Sequence, residues 1–230
     1  MTDASALKAL EPLKIPTVAD TVFEELHQQI LSLELAPGTK VSEVEVAKAF
    51  GVSRQPVRDA FFRLSQLGFL SIRPQRATVI TKISEAAVLR ARFVRTALEL
   101  ACLRAALEVI SDDDIKDLDV LLKDQQAAVT AGERQLFHRL DDDFHRRLCA
   151  ISGHEYVWSL IREQKAHMDR VRFLSLASGA QIALDDHIDI IAAIRDGKKE
   201  LAEARLTTHL GRIQTILGKI RSENPDHFEE

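Results

Sequence analysis

The stretch of residues 37–79, PGTKVSEVEVAKAFGVSRQPVRDAFFRLSQLGFLSIRPQRATV, decides the fold of the first third of this 230-residue chain. Apolar residues repeat at helical spacing in two short segments of it, 44–50 and 57–64. Gly51 stands between these segments, and a glycine ends a helix cheaply because it adopts positive φ without strain. The stretch therefore predicts two helices joined by a tight turn.

The second of these helices carries a polar face suited to DNA. Ser53 stands at its N-cap, and Arg54, Gln55 and Arg58 follow on the side opposite the apolar positions. Arginine can read guanine with two hydrogen bonds, glutamine can read adenine, and both can bind phosphates. We expect this helix to enter the major groove.

Two short apolar runs, 69–72 and 77–80, flank the segment Arg73-Pro74-Gln75-Arg76. This pattern is typical of a β-hairpin with a basic tip. An amphipathic helix over residues 17–33 precedes the helical pair. Three helices and one hairpin predict a winged helix-turn-helix domain.

Charge is distributed in agreement with that interpretation. Residues 40–82 contain eight Lys or Arg side chains and three acids, although the whole chain has a formal net charge of −4. Local basicity is what a module needs to neutralise phosphates while the rest of the protein stays acidic.

Composition limits the remaining classes of protein. With 46% hydrophobic residues, the chain can bury a large core, and its length favours two domains. No apolar run is long enough to cross a bilayer, and no secretion signal begins the chain, so we expect a cytoplasmic protein without membrane contact. Cys102 and Cys149 stand alone, which favours reduced thiols.

The chain changes character after the predicted wing. We expect a flexible arm over residues 1–16, the winged domain over 17–82, an all-helical bundle over 83–222 and a tail over 223–230. The fold class is therefore mainly α. Six helical patterns make up the predicted bundle, and they cover residues 84–109, 112–131, 133–151, 155–178, 182–195 and 198–222.

The predicted bundle contains side chains of metal-ligand type. Asp141 and His145 are four residues apart and project from one helical face, while His187 and His209 lie on two later helices. Three imidazoles and one carboxylate suit zinc, nickel, manganese or iron. Spacing alone leaves alternatives open, since Asp142 or His138 can replace a member and the histidines can be unconnected.

Three arginines fall in helices rich in apolar residues, namely Arg95, Arg162 and Arg170. A buried guanidinium needs an anion, which a small carboxylate ligand would supply. Pairing with acids on the same helices, such as Glu99 or Glu163, is the competing interpretation.

These segments resemble a known family. The string GVSRQPVRDAFFRL resembles the winged-helix domain of GntR-type transcriptional regulators, and FVRTALELA, LDDDFHRRL and DDHIDIIAAIRDGKKELAEA resemble their FadR-like branch with an FCD ligand-binding domain. The resemblance covers residues from about 17 to 222.

The resemblance implies roles for individual residues. It assigns DNA contacts to Ser53, Arg54, Gln55, Arg58, Gln75 and Arg76. It assigns a divalent metal ion, most often zinc or nickel, to Asp141, His145, His187 and His209, and so favours Asp141 over Asp142. It places Arg95 toward an effector, and Arg162 and Arg170 are further candidates.

The function that the resemblance implies is that of a homodimeric repressor, not an enzyme. We expect it to bind a pseudo-palindromic operator in double-stranded DNA and to respond to a small carboxylate held on the metal. Two alternatives are a metal-dependent enzyme acting on an organic acid and a regulator that senses the metal itself. The absence of an H-E-x-x-H motif weighs against the enzyme.

Overall fold

The helix boundaries of the N-terminal domain follow local signals. In a computed structural model, which describes residues 16–73 and 76–230, α1 covers Val18–Leu31, α2 covers Glu43–Phe50 and α3 covers Arg54–Gln66. Thr17 caps α1, and the Oγ atom of Ser42 accepts a hydrogen bond of 3.2 Å from the backbone N–H of Glu45 to cap α2. Gly51 ends α2 with a φ of 66°. The expected arm, apart from Pro16, lies outside the described residues, and so does Gln75.

The buried faces of α1 and α3 pack together to form the core of this domain. Val57, Ala60 and Leu64 of α3 are fully buried, as are Leu26 and Ile30 of α1. Because the apolar positions fill one face of α3, its polar residues remain on the outside. The helix-turn-helix predicted from residues 37–79 is confirmed.

The wing is a three-stranded antiparallel sheet rather than a simple hairpin. β1 (Lys40–Val41) and β2 (Leu70–Ser71) both pair with β3 (Thr78–Ile80), so the strand order is β1-β3-β2. The sequence did not predict β1, because two residues are too few to show alternation of apolar and polar side chains.

Five α-helices follow in the described part of the chain, and they confirm the predicted mainly-α fold with a helical second domain. Their bounds are α4, Glu85–Ala106; α5, Asp112–Ala131; α6, Arg134–Ile151; α7, Tyr156–Arg195; and α8, Lys199–Glu223.

One predicted helix boundary in the bundle is wrong. The predicted helices 155–178 and 182–195 imply a break around Gly179, but α7 runs without interruption through this position for 40 residues. Gly132 and Gly197 do lie at helix ends, where each has a positive φ. Glycine in a helix interior costs only about 1 kcal/mol relative to alanine, which the packing of a long helix easily offsets. The bundle therefore contains five α-helices instead of about six.

The C-terminal residues return to the beginning of the bundle. After a 3-10 turn at Pro225–His227, Phe228 is buried beside Ile83, and the backbone N–H of Ile83 donates to the carbonyl of His227 at 2.8 Å. The end of the chain thus packs at the connection between the two domains.

Within the described ranges, no helix is both long and apolar enough to span a membrane.

The long helix α7 also packs against the winged domain. His167 stacks on Phe69 with a centroid distance of 4.7 Å, and Ala166 joins the core of the winged domain. The same helix later supplies His187 to the bundle interior. One helix therefore contacts the winged domain through its first third and carries one of the candidate ligands.

Candidate metal centre and nucleic-acid interface

Four buried side chains from three helices meet inside the bundle. Asp141 and His145 project from α6, His187 from α7 and His209 from α8, and one ligand atom of each lies within 4.8 Å of the others. The spacing of four residues on α6 places Asp141 and His145 on one face. These are the four residues that the sequence analysis singled out.

The imidazole Nε2 atoms point toward one another. Nε2 of His209 lies 3.3 Å from Nε2 of His187 and 3.3 Å from Nε2 of His145. Oδ1 of Asp141 lies 3.7 Å from Nε2 of His187 and is buried without a hydrogen-bond partner. Buried polar atoms without partners are rare, so this convergence indicates a site for a positively charged species.

The opposite nitrogen of each imidazole faces an oxygen. Nδ1 of His145 lies 2.6 Å from Oε2 of Glu99. Nδ1 of His187 lies 2.8 Å from Oε1 of Gln125, and Nδ1 of His209 lies 3.2 Å from Oδ2 of Asp186. For His187 and His209, the hydrogen-bond acceptor at Nδ1 favours the tautomer with its proton there and leaves the Nε2 lone pair free, while Glu99 offers a nearby carboxylate to His145. The donor set therefore fits a divalent metal ion.

Electrostatics favour the protonation states that a cation requires. Burial, together with the neighbouring His209, lowers the pKa of His187 well below its usual value. Burial alone would raise the pKa of Asp141, but the guanidinium of Arg172 and the nearby histidines hold it well below its ordinary value. Neutral imidazoles beside an ionised carboxylate are the form in which these residues bind metal.

Sequence reasoning missed the residues that contact the candidate ligands from outside, although it named Glu99 as an alternative partner of Arg95. Glu99 and Gln125 lie on α4 and α5, and no sequence interval connects these helices to the histidines. One sequence signal could have pointed to Asp186, because it directly precedes His187 in the chain. Arg172 was also missed, although its guanidinium contacts Oδ2 of Asp141.

The two competing residues lie within ion-pair distance of other side chains. Oδ1 of Asp142 lies 2.9 Å from the Nζ atom of Lys165, and Nε2 of His138 lies 3.4 Å from Oδ1 of Asp169. Neither belongs to the four-residue group. The side chains of Asp141 and Asp142 thus project in different directions, and Asp141 joins the four-residue group whereas Asp142 does not. Spacing alone could not distinguish the two.

The three predicted effector arginines lie in different places. Arg95 is buried and lines a cavity of about 330 Å³ beside His209 and Arg172. Arg162 lines another cavity, of about 550 Å³, between the winged domain and the bundle. Arg170 is buried where α7 meets the winged domain, and its Nη1 donates to the carbonyl of Thr81 at 2.7 Å. Arg95 is therefore the predicted arginine that lies next to the four-residue group.

The Arg95 guanidinium is only partly paired. Its Nε atom donates to Oε1 of Glu99, whereas Nη2 is buried with no hydrogen-bond partner. A buried donor without a partner costs free energy unless a ligand supplies an acceptor. Arg95 thus binds Glu99, which in turn lies beside Nδ1 of His145. It also contributes a donor without a partner to the cavity wall.

The predicted DNA-facing side chains are exposed on the outer face of α3. The guanidinium groups of Arg54 and Arg58 both approach Oε2 of Glu43, at 3.2 and 3.5 Å. Gln55 donates from Nε2 to Oδ1 of Asp59 at 3.0 Å. All of these contacts are exposed, so they are weak and can exchange for contacts to DNA.

Ser53 and Arg76 flank this face. Ser53 occupies the N-cap of α3, but its side chain makes no capping hydrogen bond and is exposed. Arg76 is exposed in the wing just before β3. Their roles at DNA stay predictions.

Family models match both parts of the chain. Residues 18–80 match the family described as bacterial regulatory proteins, gntR family, and residues 91–212 match the FCD domain. These segments coincide with the helix-turn-helix and its wing and with the bundle that contains the four-residue group.

Relatives cover nearly the whole chain. The HTH-type transcriptional repressor RspR of Escherichia coli K12 is 37% identical over 215 residues, which are 93% of this chain and 94% of that protein. The Nta operon transcriptional regulator of Aminobacter aminovorans is 30% identical over 188 residues, which are 78% of this chain and 85% of that protein. The solved structure of E. coli McbR/YncC has a TM-score of 0.75 at 21% identity, covers 91% of this chain and 99% of its own, and supports the fold.

Proposed function

The chain belongs to the GntR family of bacterial regulatory proteins with an FCD domain, and from this premise we propose that it is a metal-dependent, effector-controlled repressor. The family and the relatives are transcriptional regulators, so the enzyme alternative is set aside. The proposal concerns what the four-residue group binds and what that binding does to DNA affinity.

The metal part of the proposal is supported by the convergence of three imidazole Nε2 atoms beside the carboxylate of Asp141, whose Oδ1 has no hydrogen-bond partner. Asp141, His145, His187 and His209 would hold one divalent ion, with zinc or nickel favoured by the three imidazoles and manganese or iron possible by the same chemistry. A bound ion would supply a Lewis acid that attracts a carboxylate. Arg95 would hold the effector carboxylate from the adjacent cavity wall through Nη2.

The DNA part of the proposal rests on the exposed face of α3. Arg54, Gln55 and Arg58 would read bases or bind phosphates in the major groove, and Ser53, Gln75 and Arg76 would assist from the cap and the wing. A homodimer in the cytoplasm would bring two such faces to a pseudo-palindromic operator. On DNA binding, Arg54 and Arg58 would exchange their contacts with Glu43 for contacts with phosphates.

Regulation would follow from linkage between the two domains. If the effector prefers a domain arrangement that misplaces α3, effector and operator lower each other's affinity by the same factor. The physical connection runs along α7, where Arg172 contacts Asp141 and Arg170 contacts Thr81 of the winged domain. Arg170 and Arg172 are two residues apart on the same helix, and this proximity of the two contacts supports the proposal.

The metal content of the purified protein tests the site. We expect about one metal ion per chain in the wild type and a loss of most of it in His187→Gln, whereas His154→Gln, an exposed histidine outside the group, should retain it. Equal metal content in His187→Gln and the wild type would reject the four-residue site. Circular dichroism of both variants shows whether the fold is preserved.

A further inference from the structure

The cavity beside the candidate metal centre restricts the kind of effector that fits it. Building on the proposed function, we infer that the effector is a carboxylate with an apolar chain, such as a 2-hydroxy acid with an alkyl body, rather than a polyhydroxylated sugar acid. The inference rests on which wall groups are apolar and on which polar wall groups already have partners.

Most of the cavity wall is made by apolar side chains of α7 and α8. The cavity has a volume of about 330 Å³, which suits a small molecule. The apolar wall is formed by Leu174, Ile182, Leu210, Ile213, Ile216 and Ile220. An alkyl chain gains free energy by leaving water for such a surface, in proportion to the area it buries.

The inner end of the cavity differs from its walls. Arg95 and His209 lie there, and Nη2 of Arg95 is a buried donor without a partner. This arrangement places an unsatisfied cationic donor next to the candidate metal ligands. A carboxylate head therefore belongs at the inner end, with the rest of the ligand along α7 and α8.

Three other polar side chains of the wall already make hydrogen bonds inside the protein. The hydroxyl groups of Thr215 and Ser175 donate to the carbonyls of Arg212 and Arg172, at 2.8 and 2.7 Å. Arg212 makes two hydrogen bonds to the carboxylate of Asp186. The donor hydrogens of both hydroxyl groups and two of the five donors of Arg212 are thus already used inside the protein, which leaves these groups fewer hydrogen bonds for a chain of ligand hydroxyl groups.

The polar groups farther along α8 do not change this conclusion. Nζ of Lys219 lies 3.7 Å from Oε1 of Glu223, and the two side chains are 68% and 52% exposed. They form a solvated rim where a ligand chain would end. A sugar acid would thus carry its middle hydroxyl groups past apolar side chains, where loss of water without new hydrogen bonds weakens binding.

Two six-carbon acids with the same head group test the inference. 2-Hydroxyhexanoate and gluconate both carry a carboxylate and a 2-hydroxyl group, so they differ only in the hydroxyl groups at carbons 3 to 6. Isothermal titration of the full chain loaded with zinc should give a Kd for 2-hydroxyhexanoate at least about tenfold lower than that for gluconate. A Kd for gluconate equal to or lower than that for 2-hydroxyhexanoate, or no binding of 2-hydroxyhexanoate, overturns the inference.

Variants separate the cavity from the metal. Ile216→Asn places an amide in the partly buried cavity wall and should reduce the ratio of the Kd for gluconate to the Kd for 2-hydroxyhexanoate at least threefold. The control Ile188→Asn, at an exposed position of α7 outside the cavity wall, should leave this ratio unchanged. An unchanged ratio in Ile216→Asn overturns the assigned position of the chain.

Failure of this inference is distinguishable from failure of the proposed function. If gluconate binds as tightly as 2-hydroxyhexanoate and both require zinc, the metal-bound carboxylate stands and the apolar chain is rejected. If both acids bind equally well with and without zinc, the metal-dependent proposal itself is rejected.

Discussion

Arg170 of α7 joins the bundle to the winged domain through Thr81, whose backbone carbonyl accepts a hydrogen bond of 2.7 Å from Nη1 of the arginine. The guanidinium also lies over the ring of Phe69, with its central carbon 5.2 Å from the ring centroid. Burial lowers the pKa of Arg170 to about 10, so the side chain stays charged near neutrality. A buried cation thus holds the connection between the two domains.

Replacement of Arg170 by Met should weaken that connection. The variant keeps apolar bulk but loses the hydrogen bond to Thr81 and the contact of the cation with Phe69, at a cost of about 1–3 kcal/mol. Differential scanning calorimetry should show a lower melting temperature or a separate early transition of the winged domain. Arg205→Met, which removes only an exposed ion pair with Asp189, is the control and should melt like the wild type. Identical melting of both variants would show that Arg170 does not stabilise the contact.

Gln125 should control metal affinity without binding the metal. Its Oε1 atom accepts from Nδ1 of His187, so Gln125→Leu removes the group that orients this imidazole. Loss of such an outer contact typically lowers metal affinity about 10–100-fold. Competition with a chromogenic chelator measures the change. Gln126→Leu, an exposed neighbour, should behave like the wild type, and equal affinities in Gln125→Leu and the wild type would contradict the assigned role.

Arg58 should contribute directly to DNA affinity. Its side chain is 57% exposed on the outer face of α3, and Arg58→Ala should weaken operator binding by about 1–3 kcal/mol, or roughly 5- to 150-fold. Fluorescence anisotropy with a DNA site selected from a random pool measures this loss. Arg146→Ala removes an equally exposed arginine of the bundle and should have no effect. A similar loss in both variants would indicate general charge attraction instead of a specific contact.

His27 should make the stability of the winged domain depend on pH. Burial lowers its pKa to about 4 from the ordinary value of 6.5, against the attraction of Asp169 and with smaller contributions from Arg162 and Lys165 that also lower it. The unfolded chain therefore takes up a proton below pH 6.5 that the folded chain resists until about pH 4. Stability is present above pH 6.5 and is lost progressively between these two values, by up to about 3 kcal/mol.

The contribution of His27 can be isolated by difference. Urea unfolding of the wild type and His27→Leu between pH 4 and 7 should show a smaller decrease in stability for the variant. The buried His187 and His209 add the same trend to both proteins, so they cancel in the comparison. Parallel pH curves for the two proteins would mean that His27 is not the source.

The sequence predicted those features that depend on local signals. The turn at Gly51, the polar face of α3 and the shared face of Asp141 and His145 all follow from spacing along one or two adjacent elements. Residue type already grouped His187 and His209 with that face as one possibility, and the resemblance then favoured this set and Asp141 over Asp142. Local pattern and family resemblance together brought the candidate ligands into view.

Features that depend on packing between distant helices were not predictable. Arg172 reaches Asp141 from α7, and Glu99 reaches His145 from α4, so these contacts exist only once the bundle has assembled. Gly179 misled the prediction for a related reason, because the packing of α7 against its neighbours maintains a helix that the glycine alone would weaken. Sequence patterns report propensity, whereas such positions are determined by tertiary contacts.

The measurement that tests the central claim most directly is the operator affinity of the full chain under three conditions, namely without metal, with zinc, and with zinc plus 2-hydroxyhexanoate or gluconate. We expect one of the acids to weaken operator binding only when zinc is present, by roughly 5- to 150-fold, and expect His187→Gln to abolish this response while it still binds the operator. A response to zinc alone that neither acid changes would identify a metal sensor. An acid response that persists in His187→Gln would contradict control through the four-residue metal site.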